Sequence, residues 1–305
     1  MAGRKRFNLE RICKECAIST ATAQNTPISE EELKEIYNDY QGLKSDLLEA
    51  RSEILSILNN NLQGKVHSIR ARIKDADHLI GKIIRNVNEK PDKYSGISSD
   101  NYYKIITDLI GIRIIILNKY DWHDIHESLL KIFPNHPDRY AVGQRDILMN
   151  YDTYEQPEER DQWKSMSYHA EQPVVYITSE EDRNIYVSDY LRVDTAKKHY
   201  RSIHYIIRYG EFYFEIQVRT LFEEGWLEFD HRIKYPYDRN NSKKQEYIEI
   251  LSSLAVAADR LISFYEEDDF KTDNKKSKST TARISGEALH AVPAETFREK
   301  MKIKF

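Results

Sequence analysis

The run DLIGIRIIIL, residues 108–117, constrains the fold more than any other segment of this 305-residue chain. Isoleucine or leucine stands at positions 110, 112 and 114–117, so neither face of an extended strand would be polar. Branched side chains of this kind favour strands over helices. The run therefore predicts a central strand whose two faces are both covered by other parts of the chain.

A strand and a helix that follow one another present a row of cations. KVHSIRARIK alternates as a strand does, and the period of two puts Arg70, Arg72 and Lys74 on one face. DADHLIGKIIRNVN comes next with helical periodicity, which leaves Lys82 and Arg85 near one another. Two neighbouring elements with converging positive charge favour a polyphosphate site over a merely solvated surface.

The segment HYRSIHYIIRYGEFYFEIQVRT contains two alternating runs around a turn, which predicts a β-hairpin. In its second strand, the period of two puts Glu215, Gln217 and Arg219 on the face opposite the phenylalanines. A solvated outer face would give the same alternation, so the pattern alone leaves their role open. Thr220 and Glu223 then have the spacing of a capping box and predict the start of a helix.

Helical spacing elsewhere completes the fold class. Ser29 and Glu32 have capping-box spacing before one long amphipathic helix that extends to about residue 58. Further helices are predicted at about 121–132 and 243–266. In the helix after Thr220, inward positions are predicted for Trp226, Phe229 and Ile233, and outward positions for Glu224, Glu228 and His231. Together these elements predict an α+β domain with a mixed sheet of about five strands flanked by helices.

Composition and length favour one main domain. We expect a basic N-terminal segment at 1–28, a domain at 29–266 with an acidic insertion at about 134–185, and a polar, basic tail at 267–305. No apolar run is long enough to cross a bilayer and no signal-peptide pattern is present, so we expect a cytoplasmic location. Cys13 and Cys16 form one CxxC pair, which we interpret as reduced thiols; a redox pair or half of an intermolecular metal site are the alternatives.

Three motifs stand in an order that resembles the RelA/SpoT synthetase domain: RIKDADHLIGKIIR, DLIGIRII, and YRSIH followed by EIQVRTLFEEGWLEFDH. The resemblance covers roughly residues 50–265 and is that of a stand-alone synthetase. It implies a nucleotidyltransferase-like sheet. It also implies a Mg²⁺-dependent enzyme that moves the β,γ-pyrophosphate of ATP to a ribose 3′-hydroxyl.

The resemblance also implies roles for individual residues. Contacts to the ATP phosphates are implied for Arg72, Lys74, Lys82 and Arg85. Asp108 matches a magnesium-binding aspartate, although its place before a buried strand equally suits a turn in the chain. Glu215 matches the glutamate that completes the metal site or receives the acceptor's proton. Acceptor contacts are implied for Tyr200, which would stack on the base, and for His204, Gln217 and Arg219.

The acceptor is where this chain departs from the family pattern. His78 stands in place of the usual serine, and His199 replaces a glycine beside Lys197 and Lys198. The resemblance implies first GDP or GTP as acceptor, giving the alarmone (p)ppGpp of the stringent response. The alternative is the 3′ end of tRNA, modified by a translation-inhibiting toxin that has an antitoxin; basic chain ends fit RNA or solvated tails. A homo-oligomer is a further possible partner arrangement.

Two rival functions belong to other classes. One is a non-catalytic nucleotide- or RNA-binding module, against which the cationic row, Asp108 and Glu215 argue. The other is a nucleotidyltransferase that releases pyrophosphate, which the logic of phosphate sites does not exclude.

Overall fold

A computed structural model describes residues 6–134, 167–188, 190–195, 200–210, 212–234 and 242–276. The chain divides into two units, Met1–Ser263 and Phe264–Phe305. All strands of the described residues lie in the first unit. No helix within the described ranges is long and apolar enough to cross a membrane.

Seven strands of the described residues form one mixed sheet. They are β1 Ser68–Ile73, β2 Ile110–Ile116, β3 Ser167–His169, β4 Val174–Tyr176, β5 Arg192–Asp194, β6 Ser202–Tyr209 and β7 Phe212–Thr220. Their order across the sheet is β1-β2-β7-β6-β4-β5, and β3 also pairs with β6. β2 runs antiparallel to β1 and parallel to β7, whereas β6 and β7 are antiparallel. The predicted α+β class with a mixed sheet is confirmed.

The central strand and the hairpin lie where the sequence predicts them. Ile112 and Ile114 of β2 are fully buried between β1 and β7, and Gly210 turns the chain between β6 and β7 with φ +57°. The sheet has seven strands instead of about five because β3, β4 and β5 have three residues each, too few to show a period of two. Of the predicted insertion, residues 135–166 lie outside the described ranges.

The helices of the described ranges are α1 Leu9–Cys16, α2 Thr20–Gln24, α3 Glu30–Gly42, α4 Lys44–Leu62, α5 Ala76–Glu89, α6 Pro91–Tyr94, α7 Tyr102–Ile105, α8 Trp122–Ile132, α9 Leu221–Lys234 and α10 Ser242–Lys276. Short 3₁₀ helices lie at Lys119–Asp121 and Glu180–Asn184. The helices predicted after β1, near residue 121 and after Thr220 correspond to α5, α8 and α9.

The prediction of one long helix from Ser29 to about residue 58 is wrong. Ser29 does cap the first turn, since its Oγ accepts from Glu32 N at 3.1 Å. The helix nevertheless ends at Gly42, and α4 begins at Lys44. Glycine is among the poorest helix formers, which explains an interruption at this position.

Residues 6–28, the described part of the N-terminal segment, are not the solvated tail that the charge of the segment suggested. Ile12 and Cys16 of α1 are buried, and the thiols of Cys13 and Cys16 are free. Burial raises the pKa of Cys16 to about 11, so the thiol stays protonated. A Cβ at Gly81 would lie 2.4 Å from Cys16 Sγ, so α1 and α5 approach more closely than any larger residue allows.

Helices α9 and α10 bury polar residues where apolar ones were expected. In α9, Phe229 is 55% exposed, contrary to prediction, while Glu224 is buried. In α10, Asp259 is buried, whereas Leu254 is about half exposed. The buried Asp259 carboxyl group accepts from Thr220 Oγ1 at 3.0 Å, and burial raises its pKa.

A buried histidine pair lies between α8 and the sheet. His126 Nδ1 lies 3.1 Å from the Tyr205 hydroxyl, and its Nε2 lies 3.1 Å from Ser188 Oγ. His169 is buried on the neighbouring strand. Burial lowers the pKa of both histidines to about 4.

We expect His126 to make folding sensitive to acid. Because its folded pKa is lowered from 6.5, the stability it contributes is present above pH 6.5 and is lost as the pH falls toward 4. The loss should amount to about 3 kcal/mol or less. Melting temperatures of wild type and His126→Gln, measured across that window, should converge on acidification. His67→Gln, at an exposed position before β1, is the control. An unchanged difference between wild type and His126→Gln would contradict the expectation.

Candidate active site

A cleft of about 610 Å³ lies where β1 meets α5, and we call it the cationic cleft. Its lining includes the four cations for which phosphate contacts were predicted: Arg72, Lys74, Lys82 and Arg85. Asp75 helps to bring them together, because its Oδ1 accepts from Asp77 N at 2.9 Å and caps α5 directly after β1. The alternation of β1 and the first three turns of α5 thus direct positive side chains into one space.

Asp108 lies between two of these cations. Its Oδ2 is 2.8 Å from Lys74 Nζ and 2.9 Å from Lys82 Nζ. Burial alone would raise its pKa, but the two ammonium groups outweigh burial and lower the pKa to about 2. Burial also lowers the pKa of Lys74. Asp108 is therefore an ionised carboxylate held on a rigid strand end.

A second cleft of about 240 Å³ adjoins the first, and we call it the carboxylate cleft. Asp108 and Glu215 both line it, together with Gln217. Arg72 and Arg113 line both clefts. The structure therefore brings the two carboxylates predicted for the metal site to one space beside the predicted phosphate contacts.

Glu215 is the centre of a hydrogen-bonded network on β6 and β7. His204 Nδ1 lies 2.7 Å from Glu215 Oε1, and Gln217 Nε2 donates to Oε2 at 2.6 Å. Burial raises the pKa of Glu215, but the contact with His204 outweighs burial and leaves the pKa below its usual range. The antiparallel register produces this arrangement, since His204 pairs with Gln217 across the hairpin.

The same network continues to Tyr200 and Arg219. The Tyr200 hydroxyl lies 2.7 Å from His204 Nε2 and accepts from Arg219 Nη2 at 3.0 Å. All five side chains predicted for the acceptor side or the catalytic glutamate are thus joined by hydrogen bonds: Tyr200, His204, Glu215, Gln217 and Arg219.

Not every one of these residues reaches a cleft. Tyr200, His204 and Arg219 are absent from the linings of the two clefts in the described part of the chain. The Tyr200 ring packs edge-on against Tyr176 with centroids 5.6 Å apart. Lys197 and Lys198, singled out for the acceptor, lie outside the described residues.

Two residues of the site, Arg113 and Glu224, were missed in the sequence. Arg113 points its Nη1 at Glu224 Oε1, 2.7 Å away, and at Glu228 Oε1, 2.5 Å away. Arg113 could have been found, because it is the one charged residue inside an otherwise apolar strand. Glu224 was predicted to face outward, which is wrong: two arginines from the sheet offset its charge and allow its burial.

The donor atoms of the carboxylate cleft suit a hard divalent cation. Asp108 Oδ1 is buried and has no hydrogen-bond partner among the described residues, although Oδ2 has two. Magnesium sites commonly use one or two carboxylates and complete their ligands with substrate phosphates and water. No group of three or more His, Cys, Asp or Glu ligands occurs in the described ranges. A two-carboxylate site that is completed by a bound polyphosphate therefore fits the residues present.

Comparison with known proteins gives one family match. Residues 167–240, from β3 through α9, match the model of the region found in RelA / SpoT proteins. No curated protein matches the chain. The mixed sheet, the cationic cleft and the carboxylate pair define a domain suited to polyphosphate binding. The matched stretch includes the motif YRSIH and the EIQVRT strand with the helix after it, and it confirms the resemblance predicted from the sequence.

Solved structures of small proteins are similar to the chain at low identity. A GTP pyrophosphokinase family protein from Streptococcus pneumoniae is 16% identical, with TM-score 0.47, over 76% of this chain and 95% of its own. Small alarmone synthetase 1 from Bacillus subtilis is 17% identical, with TM-score 0.46, over 76% and 97%. The same synthetase bound to its product pppGpp is 16% identical, with TM-score 0.43, over 72% and 90%. TM-scores below 0.5 assign no function.

We expect Asp108→Asn to lower any phosphoryl or pyrophosphoryl transfer by about a hundredfold or more, the usual effect of removing one preorganised charged group from such a site. The variant should also be less stable, because Lys74 and Lys82 lose their counter-charge. Since the pKa of Asp108 falls from 3.8 to about 2, this stability difference should be present at neutral pH and shrink below about 3.8. Transfer rates and melting temperatures across pH measure both effects.

The matched control is Asp100→Asn, which changes an exposed aspartate near the same strand. It should leave both quantities as in wild type. Transfer at the wild-type rate by Asp108→Asn would contradict the assignment of Asp108 to the reaction.

Proposed function

We propose that this protein is an ATP pyrophosphotransferase that moves the β,γ-pyrophosphate of ATP to the ribose 3′-hydroxyl of GDP or GTP and so makes (p)ppGpp. The observation that carries the proposal is the junction of the two clefts. Asp108 and Glu215 line one space, and the cations of β1 and α5 line the space beside it. Transfer of a phosphoryl group between two substrates needs such a junction, because donor and acceptor must meet in line.

On the donor side, the cationic cleft supports binding of a triphosphate. Arg72 and Arg85 present guanidinium groups, and Lys82 an ammonium group, to one cleft. Charge spreads over phosphate oxygens as the transferred group leaves, and preorganised cations stabilise that charge. When bound, Mg²⁺ would neutralise phosphate charge and hold the donor's phosphates, and Asp108 would hold it. Glu215 would either complete the metal site or receive the acceptor's proton.

On the acceptor side, Glu215 is suited to receive the proton. In the proposed step, the acceptor's hydroxyl oxygen forms a bond to the β-phosphorus, the bond from that phosphorus to the α,β-bridging oxygen breaks, and AMP leaves. The hydroxyl proton passes to Glu215, which its lowered pKa keeps ionised beforehand. His204 and Gln217 hold the two oxygens of this carboxylate and fix its direction.

Product analysis with two labels tests the proposal. ATP labelled at the α- or the γ-phosphate is incubated with Mg²⁺ and GDP, GTP or deacylated tRNA. The γ-label should move to GDP or GTP, and the α-label should appear in AMP. Label at the γ-position transferred only to tRNA would instead identify the tRNA 3′ end as acceptor. Transfer of the α-label to the acceptor would identify a nucleotidyltransferase. If no label reached any acceptor, the protein would be a non-catalytic binding module.

Two substitutions of Tyr200 separate its ring from its hydroxyl. Stacking on a base is typically worth about 1 to 3 kcal/mol, so Tyr200→Ala should raise the acceptor KM roughly tenfold to a hundredfold. Tyr200→Phe keeps the ring but loses the bonds to His204 and Arg219, so it should change KM little if stacking dominates. Initial rates at varied acceptor concentration measure both. A wild-type KM for Tyr200→Ala, with a lowered melting temperature, would show that the ring only packs against the fold.

A further inference from the structure

Glu224 is a buried carboxylate shared by two arginines from different strands. Its Oε1 accepts from Arg113 Nη1 of β2 at 2.7 Å, and its Oε2 accepts from Arg219 Nη1 of β7 at 3.0 Å. The Glu224 residue is only 5% exposed. Each oxygen of one carboxylate therefore holds one guanidinium, and the two guanidiniums belong to different halves of the site.

The first arginine faces the donor half. Arg113 lines both the cationic and the carboxylate cleft, and its side chain keeps 17% of its surface exposed. A bound polyphosphate would compete with Glu224 and Glu228 for this guanidinium, because phosphate oxygens accept the same bidentate hydrogen bonds as carboxylates.

The second arginine faces the acceptor half. Arg219 is 4% exposed and donates from Nη2 to the Tyr200 hydroxyl at 3.0 Å and to Gln217 Oε1 at 2.5 Å. Its guanidinium carbon also lies 5.6 Å from the centre of the Tyr200 ring. A small shift of Arg219 therefore changes the surroundings of Tyr200 directly.

We infer that Glu224 is a positioning residue that couples donor binding to the acceptor side. When a polyphosphate draws Arg113 away, Oε1 of Glu224 loses its partner, and the whole carboxylate charge acts on Arg219. The bond to Arg219 then tightens and alters the hydrogen bonds that Arg219 gives to Tyr200 and Gln217. The interpretation that donor binding prepares the acceptor side rests on the proposed function. The coupling itself needs only an anion that binds Arg113.

Tyrosine NMR tests the coupling without turnover. The protein is labelled with ¹³C at the ζ-carbon of tyrosine, and the Tyr200 resonance is assigned by its loss in Tyr200→Phe. Inorganic tripolyphosphate is the probe of the cationic cleft. In wild type, saturating tripolyphosphate should move the Tyr200 resonance, whereas in Glu224→Gln the movement should fall at least severalfold.

Glu228→Gln is the matched control. Glu228 Oε1 accepts from Arg113 Nη1, whereas the carboxylate that accepts from Arg219 Nη1 is that of Glu224, so the Glu228 variant should keep the Tyr200 response. Should Glu224→Gln fold poorly, Glu224→Asp keeps the charge on a side chain one methylene shorter, which cannot span both arginines, and should also lose the response. Melting curves and tripolyphosphate affinity establish that each variant is folded and binds the probe.

Binding of both substrates gives a second measure. For wild type, a non-hydrolysable ATP analogue should strengthen GDP binding by about fivefold or more, the usual lower range of coupling between sites, and the factor should fall to about twofold or less in Glu224→Gln. A Tyr200 resonance that tripolyphosphate does not move in wild type, or moves equally in both Glu224 variants, would overturn the inference. A normal Tyr200 response without label transfer to any acceptor would overturn only the proposed function.

Discussion

The ion triad of Asp108, Lys74 and Lys82 is the interaction on which the site depends. One carboxylate, two residues before β2, holds an ammonium group from the residue after β1 and another from α5 at 2.8 and 2.9 Å. Without that carboxylate, two lysines would face each other in a poorly solvated cleft, and their repulsion would destabilise the packing of α5 beside β1. The same carboxylate lines the neighbouring cleft, so its position sets the distance between the phosphate contacts and the reaction centre.

The parallel pairing of β2 with β7 is the second constraint. Its register sets Gly111 opposite Glu215 and Arg113 opposite Gln217. A slip of one residue would turn Glu215 to the other face of the sheet and separate it from Asp108. The apolar residues of both strands prevent that slip, because they would have to leave the core with it. The register between β2 and β7 therefore fixes both the packing of the core and the positions of the side chains in the cleft.

The sequence predicted those parts of the site that local periods control. A period of two placed Arg72 with Lys74, and Glu215 with Gln217, on shared strand faces, and helical spacing brought Lys82 beside them. The sequence-based prediction failed where a residue outside the local pattern determines whether a side chain is buried. Glu224 is charged and was therefore predicted to face solvent, yet arginines more than a hundred residues upstream and five residues upstream allow its burial. The buried Asp259 of α10 depends in the same way on Thr220. A single sequence contains no local signal for such pairs.

The close approach of α1 to α5 at Gly81 has a practical consequence. Arg85 Nη1 donates to the carbonyl oxygen of Cys16 at 3.0 Å, and Arg11 pairs with Asp77 at 2.8 Å, so the first helix supports the far side of the helix that carries Lys82. A shortened protein that starts after residue 24 would keep every residue of both clefts. It would nevertheless remove the α1 side of the packing around α5. Loss of activity after such a truncation would reflect the packing behind the cleft and not its lining.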